Sequence, residues 1–158
     1  MILDLKALFA GGPPVEVDYS FSPAEDQLSN VSLVHVTGHL VNEAGIVSSQ
    51  LSASFEMPLS CDRCMSEFVA QYSFPVEHVL VTSLNHEDED RFILVEQGQL
   101  DLDELVVSDI LLSLPMKHLC RPDCKGLCPT CGHDLNEGPC GCKKPMDPRL
   151  EALGKLLE

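Results

Sequence analysis

Aromatic residues, basic residues and long apolar runs are all scarce in this chain. Tryptophan is absent and aromatic residues make up only 5% of the 158 residues, although a hydrophobic content of 44% is enough for a core. No apolar run approaches the roughly 20 residues that span a bilayer. The first apolar stretch is interrupted by Asp4 and Lys6, which argues against a signal peptide. We therefore expect a cytoplasmic protein without membrane association.

Motifs of common enzyme classes are missing as well. The sequence has no HExxH motif, no glycine-rich phosphate-binding loop and no nucleophile motif. Catalytic zinc usually has histidine or carboxylate ligands and an open coordination position. The histidines do not cluster along the chain; they are His35, His39, His78, His86, His118 and His133. We expect no enzyme, no catalytic residues and no small-molecule substrate.

Basic residues are strongly outnumbered, which gives a formal net charge of −15. Such a chain is repelled by phosphate backbones, so tight nonspecific binding to nucleic acid is not expected. The charge is uneven. Residues 85–104 hold eight acids against Arg91, a pattern typical of a solvated loop, whereas residues 117–149 hold six bases against four acids. This basic excess suits a local contact with RNA, or it offsets the charge of metal-bound thiolates.

Alternating apolar and polar residues predict a β-rich body. Residues 15–21 ("VEVDYSF") alternate cleanly, and residues 31–40 and 91–95 are also strand-like. Two longer alternating runs, 47–59 and 68–80, predict an antiparallel hairpin. Its connection carries Cys61 and Cys64 at the tip.

Four residues interrupt the two long runs. Ser49 and His78 place polar side chains on the faces that are otherwise apolar. Pro58 and Pro75 lack a backbone donor, so each strand is expected to be broken or at an edge there.

Helical spacing replaces strand spacing after residue 101. Apolar residues recur with a helical period over about 102–114. Asp101 with Glu104 forms a capping box, and Pro115 ends the helix. A cap residue, a proline and a stripe of leucines predict a short helix over 147–158.

These patterns predict three successive parts. They are a β-rich body over 1–115, a cysteine-rich zinc-binding module over 116–146, and a C-terminal helix over 147–158. The expected fold class is α+β: an antiparallel sheet or partly closed barrel with one long helix, followed by the zinc module and the short helix.

Eight cysteines in a reducing compartment indicate metal ligands or redox chemistry rather than disulfides. Structural zinc takes four tetrahedral ligands, commonly all thiolate. The segment "CPTCG" places Cys128 and Cys131 on one tight turn, and "CGC" supplies Cys140 and Cys142 close by. These four cysteines form one predicted zinc site.

The other four cysteines form a second predicted site, so the two sites together account for all eight cysteines. The four of the second site are Cys61, Cys64, Cys120 and Cys124, and a shared zinc would join the hairpin tip to the segment that follows the helix. Such a metal closes a large loop and removes entropy from the unfolded chain. Cys124 lies only four residues before Cys128, so an exchange of ligands between the two sites stays open.

Other assignments of the same residues also stay open. His118 and His133 are possible substitutes for a cysteine ligand. The "CDRC" pair could be a redox dithiol, although thioredoxin-like motifs begin a helix and the flanks here are strand-like. Thiolates also hold iron, so the predicted two zinc ions rest on the preference of soft ligands.

Several motifs occur together in one order. They are "CDRC" between two strands, an acidic linker before "DLDELVVSDILLSLP", then "HLC", "CKGLCPTCGHDLN", "CGC" and "DPRLEAL". This order, from about Leu51 to Leu157, resembles the YceD-like family of large ribosomal RNA subunit accumulation proteins in its cysteine-rich Gram-positive-type form. The resemblance implies a cytoplasmic factor that supports accumulation or processing of large-subunit ribosomal RNA. Some members lie beside the gene for a zinc-ribbon protein of the large ribosomal subunit.

Three functions are compatible with these features. The first is a non-enzymatic assembly factor that binds a ribosomal protein or a pre-ribosomal large-subunit particle, with weak direct contact to RNA. The second is a thiol-redox or zinc-responsive regulatory protein that uses the Cys-x-x-Cys pairs. The third is a zinc-ribbon nucleic-acid binder in transcription, which the net charge of −15 makes least attractive.

Overall fold

The computed structural model describes residues 1–24, 28, 30–83 and 92–142. The chain forms two compact units. The first contains Met1–Leu59 and Val69–Met116, and the second contains Ser60–Phe68 and the chain from Lys117 onward. The acidic run up to Arg91 and the predicted C-terminal helix over 147–158 lie outside the described residues.

Within its described residues, the first unit contains seven strands and two helices. The strands are β1 (Ile2–Asp4), β2 (Val15–Phe21), β3 (Val34–Glu43), β4 (Ile46–Ser60), β5 (Glu67–Val81), β6 (Ile93–Leu94) and β7 (Gln99–Asp101), and the helices are α1 (Lys6–Phe9) and α2 (Leu102–Ser113). The ends of β4 and β5 extend into the second unit. A single 3₁₀ turn, Glu96–Gly98, precedes β7.

The main sheet has five strands in the order β2-β3-β4-β5-β6. The pairs β2–β3 and β3–β4 are antiparallel, whereas the two-residue strand β6 pairs with β5 in parallel. Within the described part of the chain, β2 and β6 do not pair with each other, so the sheet is open. The expected partial closure into a barrel is therefore wrong, because closure requires paired edges and β6 offers only two residues.

The predicted long hairpin is confirmed as β4 and β5, which are neighbours in the sheet. On β4 the alternate residues are buried: Val47, Ser49, Leu51, Ala53, Phe55 and Met57. The aromatic rings of Phe55, Tyr72 and Phe74 pack together across the two strands, with centroids 5.5–6.1 Å apart. This face joins the buried side of α2 in one hydrophobic core.

The prolines lie where each strand has a neighbour on one side only. Pairing of β4 with β3 ends at Phe55, before Pro58. Pairing of β5 with β6 begins at Leu80, after Pro75. Both strands therefore run through their prolines unbroken, as local edges that can do without one backbone donor.

Ser49 and His78, the polar residues that interrupt the apolar faces of the hairpin, are both hydrogen-bonded. The Ser49 hydroxyl is buried; it accepts a hydrogen bond from the His78 backbone N–H at 3.0 Å and donates to the Val76 carbonyl at 3.4 Å. The His78 ring nitrogen Nε2 lies 2.7 Å from the Asp109 carboxylate on α2. The breaks in the apolar pattern thus mark hydrogen-bonded positions rather than defects of the core.

The α2 helix begins as the sequence predicts. The Asp101 carboxylate accepts hydrogen bonds from the backbone N–H groups of Asp103 and Glu104, at 3.1 and 3.4 Å. This cap satisfies donors that the first helical turn leaves free. The short sheet of β1 with β7, and the helix α1, were not anticipated, because three- and four-residue elements show no periodicity.

Gly38 on β3 lies so close to the backbone of β4 that a side chain has no room there. It has φ +139°, and a Cβ there would lie 2.2 Å from the Gln50 carbonyl oxygen. We expect Gly38→Ala to lower the free energy of unfolding of the protein by about 2–5 kcal/mol, measured by urea denaturation. Gly45→Ala, at φ +90° with no atom within 4 Å, is the control and should cost only about 1 kcal/mol. Equal losses would contradict the close-approach explanation.

Candidate metal centres

All eight cysteines lie in the second unit, and they form two groups of four. The tip tetrad is Cys61, Cys64, Cys120 and Cys124, and the C-terminal tetrad is Cys128, Cys131, Cys140 and Cys142. Within each tetrad the four sulfur atoms lie within 4.8 Å of one another. The structure thus brings the cysteines together in the same two sets of four that the sequence predicted.

The tip tetrad has the geometry of a tetrahedral thiolate site. The sulfur atoms of Cys61 and Cys124 are 3.7 Å apart, and those of Cys64 and Cys120 are also 3.7 Å apart. A zinc–sulfur bond of about 2.3 Å gives a tetrahedron with an edge of about 3.8 Å. The sulfur atoms are therefore spaced to accept one cation between them.

A tight turn presents the first two cysteines of the tip tetrad. The Cys61 N–H donates to the Ser66 carbonyl and the Met65 N–H donates to the Cys61 carbonyl, each at 2.9 Å. Met65 has φ 62°, which reverses the chain in the turn. The Ser66 hydroxyl lies 3.1 Å from the Cys64 sulfur and supports it.

Residues between the two tip cysteines clamp the distant segment that supplies the other two. The Asp62 N–H donates to the His118 carbonyl at 2.9 Å, and the His118 N–H donates to the Asp62 carboxylate at 2.7 Å. The Arg63 guanidinium donates to the Cys124 carbonyl at 2.7 Å. This clamp orients Cys124, as supporting shells orient metal ligands generally.

A close approach of backbones completes this clamp. The Leu127 N–H donates to the Arg63 carbonyl at 3.0 Å. At Gly126, which has φ +75°, a Cβ would lie 2.9 Å from the same carbonyl oxygen. Only glycine suits this position, because any side chain would separate the two segments.

The C-terminal tetrad uses a second turn of the same kind. The Gly132 N–H donates to the Cys128 carbonyl at 2.9 Å, and the Thr130 N–H points to the Cys128 sulfur at 3.5 Å. Cys128 is buried, whereas Cys131 and Cys142 are exposed. The second site is therefore more open to solvent than the tip tetrad, in which three of the four cysteines are buried.

Asn136 is a supporting residue that the sequence analysis missed. Its side-chain amide donates to the Cys124 sulfur at 3.4 Å, and its side-chain oxygen accepts from the Lys125 N–H at 2.8 Å. The Asn136 N–H is in turn held by the Asp134 carboxylate at 2.8 Å. An asparagine five residues after the second cysteine of a Cys-x-x-Cys turn has no signal of its own, because its partners become neighbours only in the folded chain.

The two histidines considered as substitute ligands are not members of either tetrad. His118 joins the tip clamp through its backbone, and His133 offers its carbonyl to the Cys128 N–H at 2.8 Å. Both groups of ligand atoms among the described residues consist of cysteine alone. The donor set is therefore entirely sulfur.

Thiols of the tip tetrad differ in how readily they ionise. Backbone N–H groups, first that of Cys120, lower the pKa of Cys61 to about 6. At Cys120 the Ser66 hydroxyl acts to lower the pKa, but burial and the neighbouring thiols outweigh it and raise the pKa to about 11. One thiolate thus forms easily while another is opposed by its neighbours.

In the C-terminal tetrad, too, the pKa of one thiol is lowered and that of another is raised. The backbone N–H of Thr130 and then that of Cys131 lower the pKa of Cys128 to about 6. Contact with the Cys131 sulfur raises the pKa of Cys142 to about 12. Four thiolates at this spacing need a cation to offset their mutual repulsion, and binding of that cation releases protons. The affinity of either tetrad for a metal ion would therefore rise with pH and fall on acidification.

The sulfur donor set fits a structural metal. Four cysteines fill a tetrahedral zinc ion and leave no open position, and soft thiolates favour zinc or iron over hard cations. A zinc ion in either tetrad would tie its segments together without supplying a reactive site. Two ions of this kind are compatible with the two tetrads.

Comparison with known proteins identifies the family. The family model described as "Large ribosomal RNA subunit accumulation protein YceD" matches residues 49–157, which contain all eight cysteines. The chain belongs to the YceD family. Membership covers the long hairpin from β4 onward, α2 and both tetrads, and it confirms the resemblance drawn from the order of the motifs.

Several curated proteins resemble this YceD-family chain. The uncharacterized protein YlbN of Bacillus subtilis is 32% identical over 138 residues, which cover 83% of this chain and 78% of YlbN. Uncharacterized proteins of Mycobacterium tuberculosis and Mycobacterium bovis are 31% identical over 101 residues, which cover 61% of this chain and 49% of theirs. The match thus spans about half the length of these mycobacterial relatives. No solved structure matches the chain at comparable significance.

None of the helices within the described ranges is long and apolar enough to cross a bilayer.

The tetrads predict the metal content of the protein. Reduced wild-type protein should hold two zinc ions per chain, measured by elemental analysis. Cys61→Ser with Cys64→Ser should hold one, and Cys140→Ser with Cys142→Ser should also hold one, because each pair removes half of a single tetrad. If the tip variant kept two ions, the ligands of the tip site would have to be other residues. If the wild type held one ion, one of the two predicted sites would not bind zinc.

Metal removal should loosen the second unit selectively. Apolar residues are few between Cys120 and Cys142, so folding there depends on the energy of metal binding. We expect a chelator to accelerate amide hydrogen exchange at residues 120–142 by at least about tenfold, measured by mass spectrometry under reducing conditions. Amides of Val36 and Ala53, in the paired core strands, serve as the internal control. Unchanged exchange at residues 120–142 would contradict the metal dependence.

Proposed function

We propose that this chain is a non-enzymatic, zinc-binding cytoplasmic factor that supports accumulation or processing of large-subunit ribosomal RNA. The observation that carries the proposal is membership of the YceD family, whose model matches residues 49–157 and whose description names accumulation of the large ribosomal RNA subunit. Two all-cysteine tetrads support the zinc-binding part of the proposal. The ribosomal part of the proposal is inferred from family membership, and the zinc-binding part is inferred from the two tetrads.

A binding role fits the chemistry of the tetrads better than catalysis does. Four thiolates complete the coordination of zinc, whereas catalytic zinc keeps a position for water or substrate. The tip clamp of Asp62 and Arg63 holds backbone and ligand positions, which is the work of a structural site. We infer that the metals shape a surface for a partner.

The partner that we propose is a ribosomal protein or a pre-ribosomal large-subunit particle. A net charge of −15 favours a basic protein, because complementary charge speeds association and discriminates against acidic surfaces. Direct contact with RNA is a weaker, local contribution. It would come from exposed bases of the second unit such as Lys117, Arg121 and Lys125.

A thiol-redox or zinc-responsive role is the second candidate. Exposure of Cys131 and Cys142 favours it, because accessible thiolates are the ones that oxidants reach. In this role an oxidant such as a peroxide would accept two electrons from a pair of thiolates, which form a disulfide and release the metal. The buried cysteines of the tip tetrad argue against the same reaction there.

Affinity purification tests the proposed role. Tagged protein isolated under reducing conditions should carry zinc and sediment with precursors of the large ribosomal subunit. Cells without the gene should contain less large-subunit than small-subunit ribosomal RNA, and the wild-type gene should restore the ratio. The control variant Glu43→Gln, a substitution of an exposed residue in the first unit, should restore it as well.

Two outcomes distinguish the candidates. An unchanged ratio of ribosomal RNAs together with no sedimentation in precursor fractions would contradict the assembly role. Reversible loss of one zinc on mild peroxide treatment, with a cellular effect only under oxidative stress, would favour the redox role instead.

A further inference from the structure

A groove in the first unit lies along α2, beside β6 and β7, and has a volume of about 550 Å³. We propose that it binds a basic, amphipathic segment of a partner protein, with apolar side chains in the groove and lysine or arginine side chains at its rim. The inference deepens the proposed function, on which it rests for the identity of the natural partner. The chemistry of recognition follows from the groove itself.

The floor and mouth of the groove are apolar. Leu100 and Leu105 form buried parts of the lining, and Ile93 is half-buried. At the mouth Leu112 is 86% exposed and Leu94 is 39% exposed. An exposed apolar surface continuous with a concave apolar lining is typical of a protein-binding site.

The rim of the groove is acidic. Glu96 and Glu104 are exposed, and neither side-chain carboxylate has an ion-pair or hydrogen-bond partner among the described residues. Two more carboxylates are already engaged, Asp101 as the cap of α2 and Asp109 with His78. No lysine or arginine of the described chain lines the groove. The two free carboxylates are therefore available to cations of a partner.

Charge also decides between the possible occupants. A nucleic acid or an acidic peptide would be repelled by the rim. A second copy of the chain would bring two molecules of net charge −15 together. A neutral apolar ligand would leave Glu96 and Glu104 without a role. A segment with leucine side chains on one face and lysine side chains on the other can place apolar groups against the floor and cations beside the acidic rim.

The test uses full-length, zinc-loaded protein and a fluorescent amphipathic peptide made of leucine and lysine. Binding is followed by anisotropy, and methyl NMR locates the peptide. We expect saturable binding that weakens with salt, with shifts at the methyl groups of Leu94, Leu105 and Leu112. A peptide of leucine and glutamate with the same spacing should not bind.

Variants separate the groove from general attraction to an acidic protein. Glu96→Gln with Glu104→Gln should weaken binding about three- to tenfold and reduce its salt dependence. Leu112→Ala should weaken it by a similar factor, about three- to tenfold, because an apolar contact at the mouth is lost. As matched controls, Glu16→Gln with Glu43→Gln and the separate variant Leu33→Ala alter exposed residues away from the groove and should leave affinity unchanged.

Three results would overturn the proposal. The first is equal weakening by the groove and control variants, which would mean nonspecific attraction. The second is self-association of the wild type that Leu112→Ala abolishes, which would make the groove an interface between copies. The third is methyl shifts confined to residues outside the groove. Because these measurements use purified protein, they succeed or fail independently of sedimentation with ribosomal precursors.

Discussion

The second unit depends on sulfur atoms that meet from two distant parts of the chain. Cys64 and Cys120 are 56 residues apart in sequence, yet their sulfur atoms lie 3.7 Å apart. Among the described residues, the buried cluster around them adds Phe68 and Leu119 to the cysteines. The hydrogen bonds of Asp62 and Arg63 help to offset the entropy lost in closing this loop, and a metal ion held by the four sulfur atoms would add its binding energy.

The two units are stabilised by different physical means. The first has a continuous hydrophobic core between the sheet and α2, in which even the polar residues Ser49 and His78 are hydrogen-bonded. The second replaces a core with two tetrads and a network of turns. We therefore expect the second unit to respond to metal removal and oxidation more strongly than the first.

Charge links the structure to the proposed role. The chain carries a net charge of −15, and the carboxylates of Glu96 and Glu104, beside an apolar groove, have no partner within the described ranges of the chain. A partner recognised by such a surface is basic and amphipathic, a description that suits many proteins that bind ribosomal RNA. The electrostatics of the groove are therefore compatible with the ribosomal partner proposed from the family membership.

The sequence by itself determined the local features of this protein. Alternation located β4 and β5, and the carboxylate of Asp101 located the start of α2. Short spacings indicated the C-terminal tetrad, and the tip tetrad was predicted as the four cysteines that remained. Only the tertiary structure decided that the sheet stays open, that β6 runs parallel to β5, and that Arg63 and Asn136 support Cys124. Periodicity reports which face of an element is buried, whereas pairing partners and supporting contacts join residues far apart in sequence and leave no local pattern.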